Sequence, residues 1–222
     1  KVILYWYYIE SNIVKLIYIN SKFNNNIILY LFFIFYFVLG LITYKDYGIS
    51  IEEHTQRLSG LYWLNYVINF FEIDSLREIA EEYFQQAYDP YLPDPKIFNT
   101  YGPIFDLPTA FFDSLLNIKK TNVYFQYRHL LVFIIFFSSS VIFYKILKKR
   151  FSNFFVSFFG VLLYIFSPRI YGDSFHNSKD IVFLSLVVFS IFFAFKFFDK
   201  KSITNIAIFA FFAALATSTR IM

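Results

Sequence analysis

The chain of 222 residues has no cysteine, six glycines, six prolines and one methionine, and only 16% of it is charged. The absence of cysteine excludes a disulfide framework, a Cys-based zinc site and a thiol nucleophile. Six glycines are too few for a collagen-like chain, and there is no Gly-rich phosphate loop, dinucleotide fingerprint or Ser–His–Asp motif. The scarcity of charge excludes most. A water-soluble domain carries about 25% charged and roughly 45–50% apolar residues, whereas this chain is 58% hydrophobic and 25% aromatic, with 34 Phe. That much apolar surface cannot be hidden from water by one helical or sheet layer, so a soluble enzyme and a disordered chain are both excluded. The net charge of +4 is small. No nucleic-acid-binding module accompanies it, and its distribution matters more than its sum.

Crossing a bilayer takes ~20 apolar residues in a row. Five runs qualify or come close: 27–44, 129–147, 151–167, 181–198 and 203–217. The predicted fold is an all-α polytopic transmembrane helix bundle of about five spans, with a long outer loop carrying interfacial helices. The aromatic segment 1–20 holds Lys1, Glu10 and Lys15 and reads as interfacial or cytoplasmic. No small-residue cleavage site follows it, so it is not read as a signal peptide. Positive charge in short loops sets orientation. Lys145, Lys148, Lys149 and Arg150 form one group, Lys196, Lys200 and Lys201 a second, and Lys15 and Lys22 precede the first span. Placing all three groups in the cytoplasm agrees with strict alternation of five spans. Loops 45–128 and 168–180 then lie outside.

Twelve of the sixteen acids fall in the first of these loops: Asp46, Glu52, Glu53, Glu72, Asp74, Glu78, Glu81, Glu82, Asp89, Asp94, Asp106 and Asp113. A loop of more than eighty residues must have structure of its own. Leu76, Ile79, Ala80, Tyr83, Phe84 and Ala87 repeat at helical spacing, and Ser75 with Glu78 is a capping-box pattern. This predicts an amphipathic helix lying on the membrane, apolar side down, with Glu81 and Glu82 on its solvated face. The apolar run up to Leu116, interrupted by Asp106 and Asp113, is too short to span and reads as re-entrant or interfacial. Glu52 and Glu53 stand a few residues beyond the first span. Two adjacent carboxylates near a lipid boundary repel one another, an arrangement suited to a general base working near neutral pH; an exposed acidic turn is the plainer alternative.

The second outer loop is short and densely polar, with Arg169, Asp173, His176, Asn177, Lys179 and Asp180 between two apolar runs. Arg offers phosphate a planar fork and Lys a point charge. Arg169 and Lys179 are therefore candidate anion ligands or, alternatively, headgroup anchors. Arg220, at the outer end of the last run, joins the same cluster or simply snorkels. His176 has no metal-ligand partners in register nearby.

These residues in this order resemble the GT-C class of membrane glycosyltransferases, in the bacterial branch related to protein O-mannosyltransferases and the aminoarabinose transferase of lipid A. The matching pieces are Asp46 to Ser50 followed by Glu52-Glu53, the stretch Tyr101-Gly102-Pro103-Ile104-Phe105-Asp106, the loop Ser167-Pro168-Arg169 with Phe175 to Asp180, and Arg220. The resemblance implies a polyprenyl-phosphate sugar donor, a lipid, glycan or protein acceptor, and inversion at the anomeric carbon on the outer side of a bacterial inner membrane. In its terms Glu52 or Glu53 is the base, and Arg169, Lys179 and Arg220 hold the donor phosphate. His176, Asn177 and Asp180 line the second loop, while Asp46, Tyr101 and Asp106 position the first. No cofactor is fixed by it; some relatives use a divalent cation. The sequence departs from the family where Glu52 replaces the usual Asp, displacing the carboxylate by about 1.5 Å, and where His176 and Ser178 replace Tyr and Pro. Family members commonly have eight or more spans, so the chain is expected to be the front part of a larger enzyme. The competing classes are a transporter subunit, which would place ionisable groups within its spans, and a non-catalytic membrane scaffold.

Overall fold

In lipid, a segment must satisfy its peptide groups within itself, which makes the helix the default for each apolar run. The computed structural model describes residues 24–96, 102–118 and 120–220, and no strand occurs among them. Nine helices follow in order among the described residues: α1 (Asn24–Thr43), α2 (Ile51–Phe70), α3 (Asp74–Ala87), α4 (Asp106–Leu115), α5 (Thr121–Phe151), α6 (Phe154–Phe166), α7 (Pro168–Asp173), α8 (Asp180–Asp199) and α9 (Ile203–Thr219). Helices α1, α5 and α8 are long and apolar enough to cross a membrane, and α6 and α9 are shorter apolar helices. The protein is an all-α membrane protein. Segment 1–20, Lys15, Lys22 and Tyr101 lie outside the described residues.

The apolar helices meet in one aromatic core. Phe33 and Tyr36 of α1, Phe133 and Phe136 of α5, Val161 and Ile165 of α6, Ile181 and Leu186 of α8 and Ala216 of α9 are all buried in it. Gly40 matters here because a Cβ at that position would lie 1.9 Å from the Phe133 ring. Tight caps turn the chain at one end of the bundle. Ser152 takes a left-handed conformation after α5, Asn153 caps α6 by accepting from the Val156 N–H at 3.2 Å, and Ser202 caps α9 by accepting from Asn205. The same end is pinned by Lys149 paired with Asp199.

At the opposite end α2, α3 and α4 form a small second layer. Leu61, Leu64 and Ile68 of α2 pack with Ala80 and Tyr83 of α3 and Ala110 of α4. The amphipathic helix forms as α3, and Ala80 and Tyr83 of its apolar face pack on α2 and α4. Its capping box does not form, because the helix starts at Asp74 after Ile73 and Ser75 is already inside it. The expected re-entrant run is α4, docked on α2 through Gly60, where a Cβ would come within 2.4 Å of the Asp106 carbonyl oxygen. Helix α5 begins at Thr121, eight residues before the apolar run from His129, so Arg128 and His129 lie within a helix and not at its edge.

Candidate functional site at the polar end of the bundle

The first turn of α2 separates the acidic pair. Neighbours on a helix point about 100° apart, so Glu52 and Glu53 face different surroundings. Glu53 is buried. One of its oxygens accepts the Ser50 backbone N–H at 2.8 Å, completing the reciprocal half of a capping box. The other lies 2.9 Å from His129 Nε2, whose Nδ1 is 3.4 Å from the Tyr44 carbonyl oxygen. Glu53 thus ties the start of α2 to α5 and to the end of α1, and it has no free face for a substrate. Glu52 is exposed and lines an open cleft of about 470 Å³ with Ser50, Gln56, Arg169, Asp173, His176, Asn177 and Asp180.

That cleft joins the two loops that the sequence marked. Asn177 organises its far wall: its Oδ1 accepts the Asp180 N–H at 2.9 Å, while its Nδ2 approaches Asp173 at 3.4 Å and Asp180 at 3.3 Å. His176 Nε2 is 3.6 Å from Asp173, and Arg169 is 3.9 Å from the same carboxylate with most of its side chain in the open. Arg220 pairs with Asp180, so the end of α9 closes onto the start of α8. Lys179 immediately precedes α8. Burial pulls its ammonium below the ordinary value, opposed by the nearby charges of Asp106 and Glu52, with Arg128 adding to the lowering and Asp180 opposing it. Asp46 is exposed in the turn after α1, away from the cleft lining. Next to it, Tyr47 stacks on Phe175 at 4.2 Å, and Phe175 stacks in turn on Phe133 of α5 at 5.0 Å. Burial and the neighbouring Tyr171 push the Tyr47 phenol up to about 12.

Beneath the cleft lies a buried network that the sequence did not reveal. Arg128 donates to Thr109 Oγ1 and Tyr124 OH at 3.0 Å, to Gln56 Oε1 at 3.1 Å, to Asp106 at 2.7 Å and to Ser178 Oγ at 3.2 Å. Ser178 also donates to Gln56. One guanidinium therefore links α2, α4 and the second loop, with Asp106 as the acid of its ion pair. Beside it, Arg57 reaches Asp113 at 3.4 Å and lies 4.3 Å over the Tyr124 ring. Burial pushes the Asp113 carboxyl up to about 6 despite the lowering effect of Arg57.

A signal for these residues was available. Glu53, Gln56, Arg57 and Gly60 share one face of α2 at three- and four-residue steps, and Tyr124 and Arg128 share one of α5. Among the described residues no group of three or more His, Asp or Glu converges to hold a metal ion. No family model, curated protein or solved structure matches the chain.

Proposed function

We propose that the chain carries the acceptor-activating end of an inverting glycosyltransferase that uses a polyprenyl-phosphate sugar, facing the outer side of a bacterial inner membrane. The observation that supports this best is the cleft itself. An exposed carboxylate, Glu52, and a largely exposed guanidinium, Arg169, line one opening at the end of an apolar bundle, where a lipid-borne phosphate arrives from the membrane and a hydroxyl from water. In this reading Glu52 takes the proton of the acceptor hydroxyl, the oxygen forms the new bond to the anomeric carbon, and the bond from that carbon to the phosphate oxygen breaks. The electron pair leaves with polyprenyl phosphate, whose charge Arg169 and Lys179 offset. Glu53 and His129 hold the first turn of α2, so Glu53 is a positioning residue. The compact wall of Asn177, Asp173 and Asp180 sets the depth of the cleft, and Arg220 braces it.

The test is sugar transfer in membranes carrying the chain, from a panel of radiolabelled polyprenyl-phosphate hexoses and pentoses. Glu52→Gln is expected to lower turnover by about 10²-fold or more, while Arg77→Gln, on the exposed side of α3, leaves it unchanged. Undiminished transfer by Glu52→Gln removes the base assignment. Absence of donor consumption by the unaltered chain with every sugar removes the transferase reading.

A further inference from the structure

The end of the bundle opposite the cleft has chemistry of its own. Ile146, Lys149 and Arg150 of α5 and Phe195 of α8 line a second opening of about 240 Å³. Its floor is apolar, and its rim is cationic. Lys149 is already paired with Asp199 and donates to the Phe195 carbonyl oxygen at 3.4 Å, which fixes the ammonium at the mouth. Arg150 is exposed beside it, its guanidinium 5.7 Å from the Phe151 ring. Lys145 and Lys148 of α5, Lys196 of α8 and Lys200 and Lys201 of the α8–α9 turn belong to the same end, so among the described residues seven cations gather there with one carboxylate, Asp199. Below the mouth, Phe195 and Ile191 are 40% and 43% exposed, one helical turn apart on α8, and they continue the apolar surface into the span.

A positive rim alone is what the orientation rule produces. The combination here is narrower: a concave seam between two spanning helices, two cations at its mouth and an apolar track leading away along α8. We infer that this seam is a binding site for one anionic diacyl phospholipid, its phosphate between Lys149 and Arg150 and an acyl chain along Phe195 and Ile191. Basic pockets between spanning helices suit phosphate headgroups of this kind, and each cation near an anionic surface favours them appreciably. The site does not depend on the transferase reading and lies at the other end of the molecule from Glu52.

The test uses the full chain reconstituted in phosphatidylcholine bilayers with trace spin-labelled phosphatidylglycerol or phosphatidylcholine, the immobilised fraction being read by electron spin resonance. Phosphatidylglycerol is expected to associate several-fold more strongly than phosphatidylcholine. Arg150→Gln should lower that preference by about fivefold, whereas Lys201→Gln, which removes the same charge outside the seam, should lower it much less. Arg150 lies at the exposed end of α5 and Lys201 in the exposed turn between α8 and α9, and helical circular dichroism verifies the fold of each variant. Equal association of the two lipids in the unaltered chain overturns the proposal. Equal losses for Arg150→Gln and Lys201→Gln also overturn it, because a diffuse surface field would then suffice. Displacement of the labelled lipid by inorganic phosphate at matched ionic strength would assign the seam to a free anion and overturn the lipid assignment.

Discussion

Arg128 is the residue on which most of the polar end depends. Removing it leaves Asp106 buried and without its ion-pair partner, and also opens the links to Gln56 and Ser178. Breaking one side of a buried ion pair costs about 3–5 kcal/mol, so Arg128→Ala is expected to lower the thermal midpoint in detergent sharply. Arg128→Lys should recover little, because an ammonium cannot reproduce a planar fork that serves five acceptors. Near-complete rescue by Lys would mean that charge, and not geometry, holds the network. Asp113 gives a pH-dependent counterpart. Its folded carboxyl sits at about 6 against an ordinary 3.8, so the folded state binds the proton more tightly. The stability this contributes is complete below pH 3.8 and is lost as pH rises through about 6. Asp113→Asn removes the titration. Relative to the unaltered chain, the variant should therefore be more stable at about pH 7 than at about pH 4, by on the order of 1–3 kcal/mol. Thermal melts at both pH values check this, and parallel changes in the two proteins would assign the pH dependence elsewhere. The sequence made Glu52, Arg169 and Asp180 visible because each stands in a polar segment outside the apolar runs. Arg128 and His129 were hidden because they fall where a polar loop was expected to give way to a span, and a hydropathy boundary says nothing about which partners lie across it. Glu52 and Glu53 looked equivalent as a dipeptide. Only the helical turn that begins at Ser50 sends one into the cleft and the other into the interior.

Among the elements, the layer of α2, α3 and α4 decides where the cleft opens. The periodicity of α3 was legible, but its partner was not, because an amphipathic face fits a membrane surface or a neighbouring helix equally well. Leu61, Leu64 and Ile68 of α2 supply that neighbour. Helix α5 shows a related limit: its hydrogen-bond ladder does not stop where its apolar residues stop, and it runs from Thr121 through the polar layer into the core. Helices α2 and α4 meet closely at Gly60, which faces the Asp106 backbone. A methyl group there must push α4 away, and overpacking of this kind costs about 1–3 kcal/mol. Gly60→Ala should therefore destabilise the protein and also displace Asp106 from Arg128. Gly48→Ala, with no atom within 4 Å of the added group, is the matched control. Thermal midpoints of the two variants measure the difference, and equal values would show that α4 is free to shift without loss.

For the molecule as a whole, charge is sorted by position along the bundle. The cleft end gathers the termini of α1, α8 and α9 with the start of α5, through His129 beside Tyr44 and Arg220 on Asp180. The other end gathers the turns between α5 and α6 and between α8 and α9, through Lys149 on Asp199 and Asn205 on the Lys200 carbonyl oxygen. Each apolar helix therefore runs from one end to the other, including α6. At 13 residues that helix covers only ~20 Å of a hydrocarbon layer of ~30 Å. A mismatch of this size is met by local thinning of the bilayer or by packing against neighbours, and α6 has Phe154, Ser157, Val161 and Ile165 buried along one side. The arrangement makes a topological prediction that a cysteine-free chain tests cleanly, since each introduced thiol is the only one present. Asp94→Cys, beyond α3, should react with a membrane-impermeant maleimide on intact cells. Lys201→Cys, between α8 and α9, should react only after permeabilisation. Labelling of both from the same side would mean that the polar cleft and the cationic seam do not lie across the bilayer from each other. The reverse pattern would keep the bundle but turn the cleft toward the cytoplasm, where an outward-facing lipid-linked sugar does not reach it.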